Sequence, residues 1–375
     1  MLVLFTRARF DLDGALALSG LYYLCVVVFE VPSGWASDRF GRVPTLRFVG
    51  LAWVAAFACW IVADDRFWMV AAGQALVAAG YASLSGTDVS FHFDTLEALD
   101  RADEYPGRQA SLVARARVVG AVGAVVGGAV GLIDLRVAFV LSLCLALTQF
   151  VVTLGFREVP RTEKAEAIVG QVRRCLSYLA DIPLRWVFAY GVAMVVLEHV
   201  AFSMFAPWMT ETLGEAADDL ESTPFVVGCV MATIGLVGAL AARLSTPTAR
   251  RFGLRATLVG LGALSALIVT MMAIAQHPAI LAFVMMRSVQ GAAAPILISA
   301  AVAPLVAQHH RATLLSLNSL GGRLLWGSIL LGLSTDATDD VPRVLWRFSA
   351  ISWALVLATL VTAAIVRRRH GAMNI

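Results

Sequence analysis

Charge is scarce in this sequence of 375 residues. Charged side chains make up 15% of it and hydrophobic ones 59%, with a mean hydropathy of +0.79, whereas soluble domains carry about a quarter charged residues. So little charge cannot cover a water-exposed surface, which excludes a soluble globular fold. Lysine occurs once, at Lys164, so nearly all of the 29 basic residues are arginine; this bias reads as that of a GC-rich bacterial genome. The net charge of +3 is scattered over short loops and forms no single stripe or tail, which argues against a nucleic-acid partner. Five cysteines, at positions 25, 59, 144, 175 and 229, show no CxxC spacing and four lie inside apolar runs. Neither a disulfide framework nor a zinc site is expected, and no metal or cofactor. No GxxxxGK[ST] loop is present, so ATP-driven transport has no phosphate cradle. HExxH, paired aspartates and a nucleophile with its base are equally wanting, which disfavours an intramembrane enzyme.

What is present is a succession of apolar runs, each near the roughly 20 residues that cross a bilayer. Spans are expected at 14–36, 45–63, 67–92, 110–132 and 136–156, then at 185–210, 224–244, 256–275, 279–305, 312–334 and 344–366. Between the two sets, residues 157–184 read as a linker. Within it Ile168, Val172, Leu176 and Leu179 share one helical face beside Arg173 and Arg174, the pattern of an amphipathic helix lying at the membrane surface. A basic tail, 367–375, ends the chain.

The stretch Gly34-Trp35-Ala36-Ser37-Asp38-Arg39-Phe40-Gly41-Arg42 is a charged turn between two apolar segments. Its GxxxDRxGR spacing resembles the signature loop of the major facilitator superfamily of secondary transporters. The preceding Glu30-Val31-Pro32-Ser33 and the following Leu46 also fit, whereas Val43 replaces a second basic residue. The resemblance implies an all-α polytopic membrane protein of two six-helix bundles related by pseudo-twofold symmetry. On that reading residues 1–156 form the N-terminal bundle and 185–366 the C-terminal one. Residues 1–6 are then the outer end of a first span whose beginning is absent, leaving about 11 complete spans and a remnant. It also implies alternating access, a small organic solute, proton coupling and a monomer in the bilayer, with no enzymatic activity. The Gly34, Asp38, Arg39, Gly41 and Arg42 loop, with Asp94 as partner of Arg42, becomes a conformational switch. The stretch Gly123 to Gly128 resembles an antiporter core, with Ala124 where that core has proline, and leans toward efflux. A membrane scaffold or sensor of the same fold is the alternative.

Three further features can be read without the resemblance. Arg251-Phe252-Gly253-Leu254-Arg255-Ala256-Thr257-Leu258 repeats Arg39-Phe40-Gly41-Arg42-Val43-Pro44-Thr45-Leu46 at an offset of 212 with five identities in eight, as parallel repeats would. The basic residues divide 21 to 6 in favour of the side that holds the signature loop, which places that loop and the C-terminus in the cytosol of a plasma-membrane protein. Ionisable groups inside spans are costly and mark pathways or buried pairs. Glu198, His199, Arg287, Gln290 and Arg323 approach the midplane by helical rise and are expected to form a solute and proton pathway. Glu30, Asp88, Arg115 and Arg117 lie shallower, as a candidate cytosolic gate.

Overall fold

The computed structural model describes residues 12–160, 167–205, 208, 212, 224–275, 277–334 and 341–370. The remnant of a first span at residues 1–6 lies outside the described residues, as do the acidic 213–223 and 335–340 stretches. In a chain with so few polar side chains, backbone groups must bond within their own segment, and every long element is a helix.

The N-terminal half contains α1 (Leu12–Phe40), α2 (Arg42–Val62), α3 (Phe67–Leu84), α4 (Thr87–Ala98), α5 (Tyr105–Gly131) and α6 (Leu135–Leu154). A short helix, α7 (Ile168–Ser177), occupies the linker. The C-terminal half contains α8 (Ile182–Ser203), α9 (Pro224–Phe252), α10 (Leu254–Ile274), α11 (Leu281–Val284), α12 (Ser288–Val302), α13 (Arg311–Ser334) and α14 (Val341–His370). Among the described residues nine segments are long and apolar enough to cross a membrane, which makes this a multi-pass membrane protein. The helices α1 and α13 are not among those nine, yet at 29 and 24 residues they too exceed the span of a bilayer. The two pack against each other across the halves.

Two expected spans are broken. The segment expected at 67–92 stops at Leu84 and restarts at Thr87, because Gly86 takes φ +77. A side chain there would also come within 3.1 Å of Leu315 Cβ on α13, so both conformation and proximity require glycine. The segment expected at 279–305 is interrupted by a 3-10 turn, Met285–Arg287, between α11 and α12. Elsewhere helices run past the apolar window, α9 reaching Phe252, because helical hydrogen bonding does not stop where apolarity does.

The repeat is visible in backbone detail. Helices α2 and α10 are both 21 residues long and start 212 positions apart. Each is preceded by a glycine of positive φ, Gly41 and Gly253. In each copy the threonine four residues on donates to that glycine's carbonyl, Thr45 at 2.7 Å and Thr257 at 2.9 Å. The copies diverge where chemistry enters, with Arg250 and Leu254 in place of Asp38 and Arg42.

The linker helix also docks on the protein. Its apolar Val169 and Leu176 are exposed, while Gln171 and Cys175 are buried against the protein. Cys175 packs among Leu184, Leu254 and Leu314, so burial, with Asp38 nearby, pushes its thiol up to about 12. At pH 8 that leaves about one thiolate in ten thousand. N-ethylmaleimide should therefore spare Cys175 in the folded protein and modify it after denaturation, with Gln171→Ala raising the folded-state rate by undocking the helix. Rapid modification of the native protein, read by peptide mass spectrometry, would show that α7 is not docked in this way.

Candidate functional site

Two polar assemblies lie between the halves, one at the signature-loop end and one deeper in the bundle. Asp38 ends α1 and is 1% exposed, with Arg42, Asp94 and Arg311 at 3%, 2% and 5%, so four ionisable groups share a dry site. Arg42 Nη1 donates to Asp38 Oδ1, and its Nε lies 3.4 Å from Asp94 Oδ2. From the other half, Arg311 Nη1 donates to Asp94 Oδ1 and, at 3.0 Å, to Glu97 Oε2. Asp38 Oδ2 accepts from the backbone N-H of Thr313 at 2.9 Å, from the Thr313 hydroxyl, and from Gln171 Nε2 at 2.8 Å. Thr313 stands in the first turn of α13, so this carboxylate of one half faces the positive end of a helix in the other. Arg42 Nη2 also crosses, donating to Gln308 O at 2.7 Å. Glu158 holds the start of α2, accepting from the Arg42 and Val43 N-H groups at 2.9 and 2.8 Å.

Small residues let the halves meet here. A side chain on Gly34 would come within 2.6 Å of Ser316 Oγ and 3.2 Å of Ala312 O. Arg39, by contrast, is exposed and lies over Trp35 and Phe40.

Beyond this seal is a cavity of about 530 Å³, within the usual size of a small-molecule site. Tyr22, Tyr81 and Arg117 line it from the N-terminal half, and Glu198, Arg287 and Arg323 from the C-terminal half. Glu198 packs against Gly291, whose missing side chain leaves room for the carboxylate, and among the described residues it forms no ion pair. Arg287 sits in the 3-10 turn and stacks over Phe202 and Phe205, 5.3 and 5.0 Å from their centroids; its Nε has no hydrogen-bond partner. His199 also lines the cavity and donates from Nδ1 to Val195 O at 2.7 Å. Arg117 reaches across to Gly291 O at 3.4 Å.

Not every sequence candidate joins these assemblies. Gln290 is 1% exposed and accepts from Ser265 of α10, inside the C-terminal half and away from the cavity. Glu30, Asp88, Arg115 and Arg117 do not form one cluster. Glu30 faces Arg323, Arg117 lines the cavity, Asp88 is exposed in the first turn of α4, and Arg115 is exposed with no ion pair among the described residues. Expecting the four to meet relied on equal depth, but helical phase sends them in different directions. Sequence reasoning missed Gln171, Glu158, Glu97 and Thr313 as members of the seal and passed over Arg311. The His309 to Thr313 run before α13 was the available signal.

Removing one partner from a buried ionic network costs about 3–5 kcal/mol, because the others are left charged and dry. Asp38→Asn or Arg42→Ala should therefore insert normally and yet destabilise the sealed arrangement, lowering the thermal transition in detergent. Arg39→Ala should leave that transition unchanged. Equal effects at all three positions would reduce the loop to a membrane anchor.

Against known proteins, the model of the Major Facilitator Superfamily matches residues 8–329. No protein of curated function matches the sequence. Among solved structures, the E. coli fucose:proton symporter FucP superposes with a TM-score of 0.67 at 15% identity, covering 95% of this chain and 92% of that one. A bacterial homologue of the iron transporter ferroportin in an outward-facing state gives 0.68 at 15% identity, covering 96% and 92%. The nucleoside transporter NupG gives 0.66 at 13% identity, covering 96% and 94%. At such identities these likenesses show the fold, and the family match over most of the chain shows the rest: the protein belongs to the Major Facilitator Superfamily of membrane transporters.

Proposed function

We propose that this protein is a secondary transporter in which two six-helix bundles rock about the cavity, moving a small organic solute that carries an anionic group. The observation that carries the reading is a cavity shared by both halves and sealed at one end by charges from both halves. Arg117, Arg287 and Arg323 outnumber the acidic groups that face them, Glu198 and Glu30, so an anion is favoured. Tyr22, Tyr81 and Phe202 offer rings for an apolar or aromatic body. Proton coupling rests on Glu198, a carboxylate open to the cavity with no ion pair among the described residues. The fucose:proton symporter shares the fold, which supports coupling of this kind. The glycine run serves close packing, with Gly228 of α9 set against Ala124 and Gly128 of α5.

The signature-loop end is assigned to the cytosol of the cell membrane by the excess of basic residues there. In whole cells, an impermeant thiol reagent should label a cysteine at Ile133, 83% exposed at the opposite end, and should reach one at Leu99 only after permeabilisation. The reverse pattern would invert the topology.

Coupling is tested in proteoliposomes with an imposed pH gradient and a panel of organic anions. A transported solute should accumulate against its gradient and stop doing so when a protonophore is added. Glu198→Gln keeps the shape but cannot titrate, so it should abolish accumulation and retain solute exchange. Full accumulation by Glu198→Gln would assign that residue to packing.

A further inference from the structure

Coupling requires a proton site whose surroundings differ between the two ends of the rocking motion. Glu198 does not meet that requirement unaided: Tyr81 and Arg117 of the other half face the same cavity, but among the described residues Glu198 forms no ion pair that rocking would break. A second carboxylate does meet it. Glu30 on α1 is 0% exposed, and its Oε2, which makes no hydrogen bond, faces Arg323 Nε on α13 at 3.7 Å. The pair therefore joins opposite halves, four residues along α1 from the Gly34 to Ser316 contact.

Every group around Glu30 has a definable part. From α3 and the turn after it, Ser85 Oγ donates to Glu30 Oε1 at 2.9 Å, and the Tyr81 ring lies 5.6 Å from the Arg323 guanidinium. Tyr22, about two turns earlier on α1, and Ser319 on α13 complete the polar surroundings. Arg323 is the charged group opposite Glu30, and it also lines the cavity, with its Nε 3.4 Å from Ser319 Oγ. Neither tyrosine changes charge near neutral pH. Glu30 thus faces an arginine that it must give up when the halves separate at this end. A carboxylate stripped of its partner in hydrocarbon is costly and is stabilised by taking a proton.

We propose that Glu30, paired across the halves with Arg323, is a second proton site beside Glu198, the one whose protonation loosens the contact between the halves. Water in the cavity supplies the proton, Glu30 Oε2 takes it as Arg323 turns to the solute's anionic group, and water at the signature-loop end receives it after the seal opens. This deepens the transport reading given above and rests on it for the solute, but the latch itself can be examined with no solute present.

The reporter is Ser316→Cys, buried at the α1 and α13 seam and facing Gly34, with its alkylation by N-ethylmaleimide followed by peptide mass spectrometry. Maleimide reactivity is corrected at each pH against the same thiol in denatured protein. With Glu30 intact, the corrected rate should rise as pH falls, because protonation releases the seam. Glu30→Gln should be fast at every pH, by about tenfold over the parent at pH 8, within the usual range of coupling between linked sites. Glu30→Asp should restore the pH dependence, and Arg323→Gln, which removes the partner from the other half, should also be fast at pH 8. Glu198→Gln should keep the parent's pH profile. A slow, pH-dependent Glu30→Gln protein overturns the proposal, as does loss of the pH dependence in Glu198→Gln alone. Failure to find any transported solute would count against the transport reading and leave these rates able to decide the latch.

Discussion

Four charged side chains and a helix end, held dry at the junction of two halves, set the terms for everything else in this molecule. Asp38, Arg42, Asp94 and Arg311 are nearly inaccessible to water, and a charge in such a place is tolerable only while each partner is present. The partners come from both halves and from the linker through Gln171. The arrangement is therefore stable as a whole and poorly stable in part, which is the physical basis of a two-state element. Glycine at Gly34 and Gly86 is what permits the approach, since a methyl group at either would press on α13.

The cavity follows from the seal. Helices pulled together at one end by the network diverge toward the other, and the residues that then face each other across the gap are arginines, tyrosines and two carboxylates. Arg323 belongs to both levels, touching the cavity on one side and Glu30 on the other. A solute anion that engages Arg323 competes with Glu30 for it, so solute, proton and inter-half contact become linked through one guanidinium. Such linkage is reciprocal: whatever loosens the seam must also change affinity at the cavity.

Much of this was legible in the sequence, for physical reasons that can be named. Helix positions followed from apolar run length, and the hairpin after α1 from GxxxDRxGR, because a glycine of positive φ and a charged turn have few other uses between apolar segments. The 212-residue repeat survives because both copies keep the same capping geometry at Gly41 and Gly253. Residue partners were less legible. Depth along a helix can be counted, but the face a side chain takes in a bundle depends on packing, so Gln290 turned to Ser265 and Glu30 turned to Arg323. Gln171 was hidden for another reason: on an amphipathic helix it reads as a polar face for solvent, whereas here that face is covered by Asp38, His309 and Thr313.

The claim at the centre of this account is that the two ends of the molecule open in alternation because the halves move as units. Double electron-electron resonance on two spin-label pairs measures this directly. One pair is Leu99 with Phe252 at the signature-loop end, and the other is Ile133 with Ile274 at the far end; all four positions are exposed. In the Asp38→Asn background the first distance should lengthen and the second shorten relative to the parent protein. Distances that stay fixed, or that lengthen at both ends together, would contradict the account.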